Sequence, residues 1–429
     1  MKRGQKWAIG LGIAAAVLGA AWLAVAMWLP TDDDLVARLT AEAEERLGVK
    51  VTIGSARWAL LPTPMVVVND FRTHQAQPVV IRRLTAHPKT RDLLDRKLAF
   101  ARIVIDDAVF PRNSVRAFHA KPGASALEAG DGALLERFEF RNLTWISYSG
   151  IPVIYDGEID FDPHWRPRHA ELRRPGIKPA FTLTLKREGD ADRWQTRIHV
   201  GGGTGHGNVA LKTAENGVMH LSGQLEPRDI EVASMMSSFN RRSVVGGKGS
   251  GQTVLSADGK SLGELARSLH TRTTFSVHPA TVLRFDLDKT ISTRGKERDG
   301  QTELQELTGQ IDTQNTDEGM RATYTGLKAR AGKYTATSNI MIYHRQIEAS
   351  GTFYLVEGAT GVPFTVNGPL DKPKLSMERG VMAGAAVGTA VLPGMGTDIG
   401  ASIGGFFGRL FSGGEPQPAA SAPVAPERN

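Results

Sequence analysis

The strongest constraint on this chain is an alternation of apolar and polar residues at a period of two, repeated along much of its length. Phe181, Leu183 and Leu185 alternate with Thr182, Thr184 and Lys186. Ile340 and Ile342 sit between Asn339, Met341 and Tyr343, and Ile347, Ala349, Gly351, Phe353 and Leu355 carry the pattern onward. Residues 65–68 and 103–105 are denser apolar runs. Successive side chains of a strand point to opposite faces, so this pattern demands strands with one apolar and one wetted face. Asp156-Gly157, Asn216-Gly217, Asp258-Gly259 and Glu318-Gly319 supply turn signals between them. The expected fold is mainly β, a mostly antiparallel meander with short helices as lids or end caps. Such a face is buried by closing, by stacking a second sheet, or by curling around apolar ligands, and the alternation does not choose among the three. Short helices are expected near 91–95, 230–239 and 262–270.

The N-terminus follows a different rule. Lys2, Arg3 and Lys6 precede an uncharged run over residues 7–29, with Trp7, Trp22 and Trp28 towards its ends. At about 1.5 Å per residue the run spans roughly 34 Å, enough for a hydrocarbon core of about 30 Å. The reading is a transmembrane anchor with residues 1–6 as a cytoplasmic stub and the bulk of the chain exported. A cleaved signal peptide is the alternative, because Ala24-Val25-Ala26 offers a small-x-small site. Pro30 ends the run. Thr31 then caps a helix whose first turn carries Asp32, Asp33 and Asp34, favourable at the positive end of its dipole. Leu35, Leu39, Ala43 and Leu47 form its apolar stripe, and Gly48 stops it.

Chemistry-bearing motifs are few. The chain has no cysteine, which removes disulfides, thiolate metal sites and a cysteine nucleophile together. Its 11 histidines are scattered without an acidic partner in metal-ligand spacing. Gly259-Lys260-Ser261-Leu262-Gly263 matches the G-x-S-x-G pattern, yet Ser261 and Glu264 read better as a capping box at a helix start. The spacing of a phosphate loop fails because Val254 stands where its first glycine belongs. The glycines of residues 201–207 lie between two strand-like segments and read as a hairpin loop. Asp106, Asp107, Asp160 and Asp162 read as solvated charges at strand ends. No catalytic residue, metal site or cofactor is expected. The net charge of +7 is spread out, with no basic block of the kind that binds nucleic acid, so anionic headgroups are the more natural acidic partner.

Near the C-terminus, Gly380, Gly384 and Gly388, then Gly396, Gly400, Gly404 and Gly408, recur every four residues on either side of Pro393. On helices each set shares one face and permits close approach to lipid or to a partner helix. Gly384, Gly388, Gly400, Gly404, Phe406 and Phe407 are the contact candidates of this Gly-rich hairpin, residues 379–412; a packed cap or a loose tail is the alternative. Residues 413–429 are Pro/Ala-rich and expected to be disordered.

Several stretches resemble the AsmA family of bacterial envelope proteins. They are Leu47-Gly48-Val49-Lys50-Val51-Thr52-Ile53-Gly54, Leu61-Pro62-Thr63-Pro64, Asn69-Asp70-Phe71, and Asp92 to Leu98 leading into Ile103-Val104-Ile105-Asp106. The resemblance resumes from Gly249 to Leu269, at Phe285-Asp286-Leu287, and from Gly361 to Leu375. The family pattern has glycine or a small residue near Arg284, in a turn where this chain departs from it. The resemblance implies a long curved sheet with a lipid-sized groove and no catalytic residues. It also implies a role in envelope lipid homeostasis, at the inner membrane with the bulk of the chain periplasmic. The expected organisation is an N-terminal AsmA-like part over 31–119, a linker over 120–132, a central β region over 133–240 and a C-terminal AsmA-like part over 241–378. Leu183, Leu185, Ile340, Ile342, Phe353 and Leu355 are the groove candidates, and phospholipid or another acyl-chain lipid the expected partner. The C-terminus is expected to meet the outer membrane or an envelope protein. The alternatives are a scaffold for envelope proteins that carries no lipid, and a serine hydrolase using Ser261.

Overall fold

A computed structural model describes residues 31–59, 63–89, 99–116, 134–163, 166–260, 262–284, 299–316, 318–354, 361–370 and 374–377, with single positions between 286 and 297. The anchor run, the 91–95 helix, the 120–132 linker, Ser261, Leu355, the Gly-rich hairpin with Gly384, Gly388, Gly400, Gly404, Phe406 and Phe407, and the tail lie outside the described residues. Two compact units divide the chain, Met1–Arg141 and Asn142–Asn429. Every strand pairing described is antiparallel.

In the first unit, α1 (Asp32–Leu47) begins where Thr31 Oγ1 accepts the Asp34 N–H at 3.3 Å, with the three aspartates in the first turn. It ends at Gly48, whose φ of 69° places it in the left-handed region that glycine tolerates. Strands β1 (Val51–Thr52), β2 (Ser55–Ala59), β3 (Met65–Thr73), β4 (Val80–Pro88) and β5 (Ala99–Pro111) follow, then α2 (Arg112–Arg116); β6 (Leu134–Ile146) runs through the boundary. The first half of the predicted α1 stripe packs on the sheet: Leu35 is buried with Ile53, Ala56, Val66, Val68 and Ala86, and Val36 and Leu39 border them. Asp70 takes φ 54° between Val68 and Phe71, which both meet this cluster, while the pairing with β4 keeps one register from Asn69–Arg83 to Phe71–Ile81.

The second unit begins with β7 (Pro152–Phe161), β8 (Pro167–Arg174), β9 (Phe181–Arg187), β10 (Arg193–Val200), β11 (Gly203–Thr213) and β12 (Met219–Arg228). It continues with β13 (Ile230–Glu231), α3 (Val232–Ser237), β14 (Val245–Gly259), α4 (Leu262–Ser268), β15 (His270–Leu283), β16 (Gln301–Leu304) and β17 (Glu306–Thr316). The last strands are β18 (Gly319–Ala331), β19 (Tyr334–Tyr343), β20 (Gln346–Tyr354), β21 (Val362–Pro369) and β22 (Lys374–Met377). Pairing runs almost in chain order, with β12 beside β14 and β15 beside β17, the short β13 and β16 extending the edges of those pairs. The two short helices stand where the sequence places them. Residues 238–244 form the loop between α3 and β14, and the sheet continues across it, with β12 on one side of β14 and β15 on the other.

Asn216-Gly217 and Glu318-Gly319 form the predicted turns. Asp156-Gly157 does not. Both residues lie inside β7, opposite Arg173 and Leu172, and the Asp156 carboxylate accepts the N–H of Asn142 at 2.7 Å. Asp258-Gly259 is the end of β14, paired with His220 and Met219. Residues 203–207 of the glycine-rich stretch are likewise strand, leaving Gly201 and Gly202 as the turn. Asp162 is not a solvated charge: it forms an ion pair with Arg187, both side chains nearly buried, and Arg187 also meets Asp192 at 2.9 Å.

The sheet bends where glycines stand inside its strands. A Cβ at Gly351 would overlap Thr337 O on the neighbouring strand and approach the Phe364 ring at 2.6 Å. The Tyr148 ring lies against Gly319, about 3.5 Å from where a Cβ would stand. Tyr148 precedes β7 and Gly319 opens β18, nine inter-strand steps apart, or roughly 43 Å of sheet at about 4.8 Å per step. Contact across that span shows that the meander curls back on itself. Arg284 takes φ 62°, in the left-handed region, and its guanidinium donates to Ser243 O at 3.2 Å.

Two stability predictions follow from these backbone positions. Gly351→Ala is expected to lose about 1–3 kcal/mol in equilibrium denaturation, through overlap with β19. Arg284→Gly is expected to exceed Arg284→Ala in stability by about 1 kcal/mol, because both lose the Ser243 contact and only alanine keeps the left-handed strain. Equal stabilities would refute that assignment of strain.

Candidate functional site

Register across the second unit decides which residues share a face. Starting at Ile159, one transverse row passes through Ala170, Leu185, Thr196, Gly207 and Leu225. It continues through Thr253, Thr273, Ile311, Tyr324, Ile340, Ala349 and Val366. The next residue along each strand belongs to the other face, and that row is Lys186, Gln195, Asn208, Gln224, Val254 and Arg272, then Asp312, Thr323, Met341, Glu348 and Asn367. The first row contains no charge across thirteen strands. Its central members, from Leu225 to Ile340, are only half-buried.

Helices α3 and α4 cover opposite ends of this apolar face. At one end Phe181, Val200 and Ile230 are buried, with Leu172, Leu183, Ile198, Met235 and Phe239 packed around them. At the other end Met219, Ala257 and Leu265 are buried with Leu211, Leu221 and Leu269. A Cβ on Gly259 would strike Glu264 and Leu265 of α4, while Gly249 lies 3.5 Å from Val232 of α3 by the same measure. From Gly249 to Ala257 is eight residues of β14, roughly 26 Å of strand between the two helices. Gly251, Thr253 and Leu255 are half-buried in that interval.

The predicted groove residues are brought to one face but not to one place. Leu183 and Leu185 lie on β9, Ile340 and Ile342 on β19, eight inter-strand steps or roughly 38 Å apart along the sheet. Leu183 belongs to the cluster beneath α3. Ile340, Ile342 and Phe353 border the buried cluster of Ile347, Ala349, Phe364 and Val366, and Phe353 stacks on Tyr334 at 6.0 Å. Leu355 lies outside the described residues.

Threonine and tyrosine complete the face, and the sequence pattern does not reveal them because both occur on wetted faces too. Thr253 and Thr273 hydroxyls pair at 2.9 Å, and Thr271 and Thr313 at 2.6 Å. Cross-strand pairing of this kind satisfies the hydroxyls laterally, leaving the methyl groups for an apolar neighbour. Thr196 Oγ1 is buried without a hydrogen-bond partner among the described residues. Desolvation pushes the Tyr324 hydroxyl above its ordinary pKa. Each is a polar atom held away from water on an otherwise apolar surface.

The cap of α3 is an unusual one. Glu231, instead of Ser, Thr, Asp or Asn, precedes its first turn; its carboxylate accepts from Ala233 N at 3.1 Å, Ser234 N at 2.5 Å and Gly247 N at 3.2 Å. Partial burial opposes its ionisation, but the hydrogen bonds from Ser234, Gly247 and Ala233 prevail and hold the carboxyl below its ordinary 4.5. At the other end of α3, Arg174 donates to Ser238 O, and burial lowers the pKa of that guanidinium, opposed by Tyr155. Helix α4 is fastened by Ser268, which accepts from Asp258 N at 2.8 Å and donates to Asp258 O at 2.7 Å. Glu264 accepts the Lys260 N–H at 2.8 Å, one residue ahead of the Ser261 N–H that a capping box engages; Ser261 itself lies outside the described residues.

Elsewhere the chemistry is that of surface pairs. His270 and Arg272 share the Asp312 carboxylate at 2.5 and 3.1 Å on the wetted face. A depression in the first unit is lined by Asn69, Asp70, Arg82, Arg83, Asp106 and Asp107, where both signs of charge meet. Among the described residues no cluster of three or more His, Asp and Glu is arranged to hold a metal ion, and no helix is long and apolar enough to cross a membrane. A scan of protein-family models, a search of curated proteins and a search of solved structures each find no match.

Because the folded pKa of Glu231 lies below its unfolded value, its contribution is complete above about pH 4.5 and lost as pH falls through the folded value. Hydrogen exchange at Ala233, Ser234 and Gly247 is expected to accelerate through that acidic window, beyond the intrinsic pH trend. Glu231→Ala should show fast exchange at neutral pH and no such step; a step that survives the substitution would assign it to another group.

Proposed function

We propose that the protein is a non-enzymatic, lipid-handling envelope protein of AsmA type, anchored in the bacterial inner membrane with its bulk in the periplasm, and that it supports outer-membrane biogenesis by moving acyl-chain lipid between membranes. The observation that carries this reading is the charge-free row from Ile159 to Val366, half-buried in its central stretch, with charged and polar residues on the opposite face. A β face of this length is normally buried by a second layer, and an acyl chain can take that layer's place without requiring hydrogen bonds. The curl that brings Tyr148 to Gly319 supports a groove in preference to a flat surface. Helices α3 and α4 support it too, since they cover the ends of the face and leave its middle half-buried. The family assignment rests on the stretches quoted above, and the anchor on residues 7–29.

Site-specific photo-crosslinking tests the reading. Crosslinkers at Leu185, Leu225 and Ile311 are expected to capture phospholipid in cells, identified by mass spectrometry. Crosslinkers at Val254, 52% exposed on the opposite face, and at Arg272 are expected to capture none. Equal capture from both faces, or protein adducts alone from the apolar one, would refute the groove.

A further inference from the structure

The apolar face ends, beside α3, in positive charge. Arg174 closes the inward-facing column of β8 after Ala170 and Leu172, and register pairs it with Phe181. Its Nε donates to Ile154 O at 3.4 Å, Nη1 reaches Ser238 O, and both terminal nitrogens stand 3.5 Å from Asn240 Oδ1. Arg241 follows in the chain and donates to Ser149 Oγ at 3.3 Å. Arg284 holds Ser243 O at the far end of the same loop. Every one of these acceptors is neutral.

Among the described residues none of the three guanidinium groups has a carboxylate within ion-pair distance, in a chain where Arg187, Arg166 and Arg272 do. Glu231, the acid at the start of α3, is already engaged by three backbone N–H groups. Directly beside the charges lies an aromatic chain, Tyr155 on Phe181 at 6.4 Å and Phe181 on Phe239 at 5.6 Å, both edge-on. Uncompensated guanidinium next to an apolar bed is the complement of an amphiphile with an anionic head. A phosphodiester suits it, because its two unesterified oxygens match guanidinium donors in charge and geometry.

We infer that Arg174 and Arg241 bind the phosphate of an acyl-chain lipid whose tails lie on the apolar face, so that the headgroup sits at the α3 end. This rests on the groove reading above. Free phosphate shares the headgroup's chemistry; the adjoining aromatic bed favours the lipid.

The test uses the full-length protein in detergent, with phosphatidylglycerol and diacylglycerol of identical acyl chains and inorganic phosphate as probes. The protein is expected to bind phosphatidylglycerol about tenfold more tightly than diacylglycerol, the size of one lost charge-assisted hydrogen bond. Arg241→Gln should abolish the preference while leaving diacylglycerol affinity unchanged, and Arg241→Lys should restore part of it. Arg174 also holds α3, so Arg241 is the variant that separates binding from folding. Equal affinity for the two lipids, or a preference that Arg241→Gln leaves intact, would overturn the headgroup site and leave the groove standing. Failure to bind either lipid would overturn both readings. Saturable phosphate binding without a lipid preference would make this a free-anion site and overturn the lipid one.

Discussion

Everything in the second unit depends on strand phase. A slip of one residue in any hairpin would turn the apolar set of one strand towards solvent, and every strand beyond it would inherit the error. The meander passes through turns of different length, a glycine irregularity between Gly247 and Gly249 and another between Tyr324 and Leu327. Even so the row through Leu185, Leu225, Ile311 and Ile340 stays on one face. In the first unit Asp70, at φ 54°, stands between Val68 and Phe71, which meet the same cluster beneath α1 without any shift in the register with β4. Irregularities thus serve to keep the apolar residues on one side.

The helices are attached to this framework by polar contacts at their ends and apolar contacts along their length. Helix α3 has only six residues and is too short to be stable by itself. Glu231 at one end and Arg174 at the other match the sign of its dipole, and Met235 and Phe239 tie it to Phe181. Helix α4, of seven residues, is held through Ser268 and Leu265 in a similar way. Both are elements that exist because the sheet below supports them.

Much of this was legible in the residues. Helix α1 has its cap, acidic first turn, apolar stripe and glycine stop in a contiguous stretch, so each local rule agreed with the fold. The alternation in β9, β19 and β20 was equally plain. Legibility failed where partners are distant in sequence. Asp156-Gly157 looks like a turn, yet tertiary pairing holds it in β7. Thr253 and Thr273 look wetted until register sets their hydroxyls against each other. Nothing local marks Glu231 as a cap, because the third of its N–H donors, Gly247, comes from another strand. The separation of Leu183 from Ile342 is also invisible to periodicity, which assigns a face and says nothing of distance along it.

The contact between Tyr148 and Gly319 has a consequence for how such a chain can change length. Each β-hairpin adds two strands, about 9.6 Å of sheet, so a curled meander is built in increments of that size. An inserted or deleted hairpin between β7 and β18 would move those two residues past each other and change the curvature of the fold. One added after β18 would leave the contact untouched and lengthen only the apolar track. Growth at the C-terminal side is therefore geometrically neutral, whereas growth inside the coil is not.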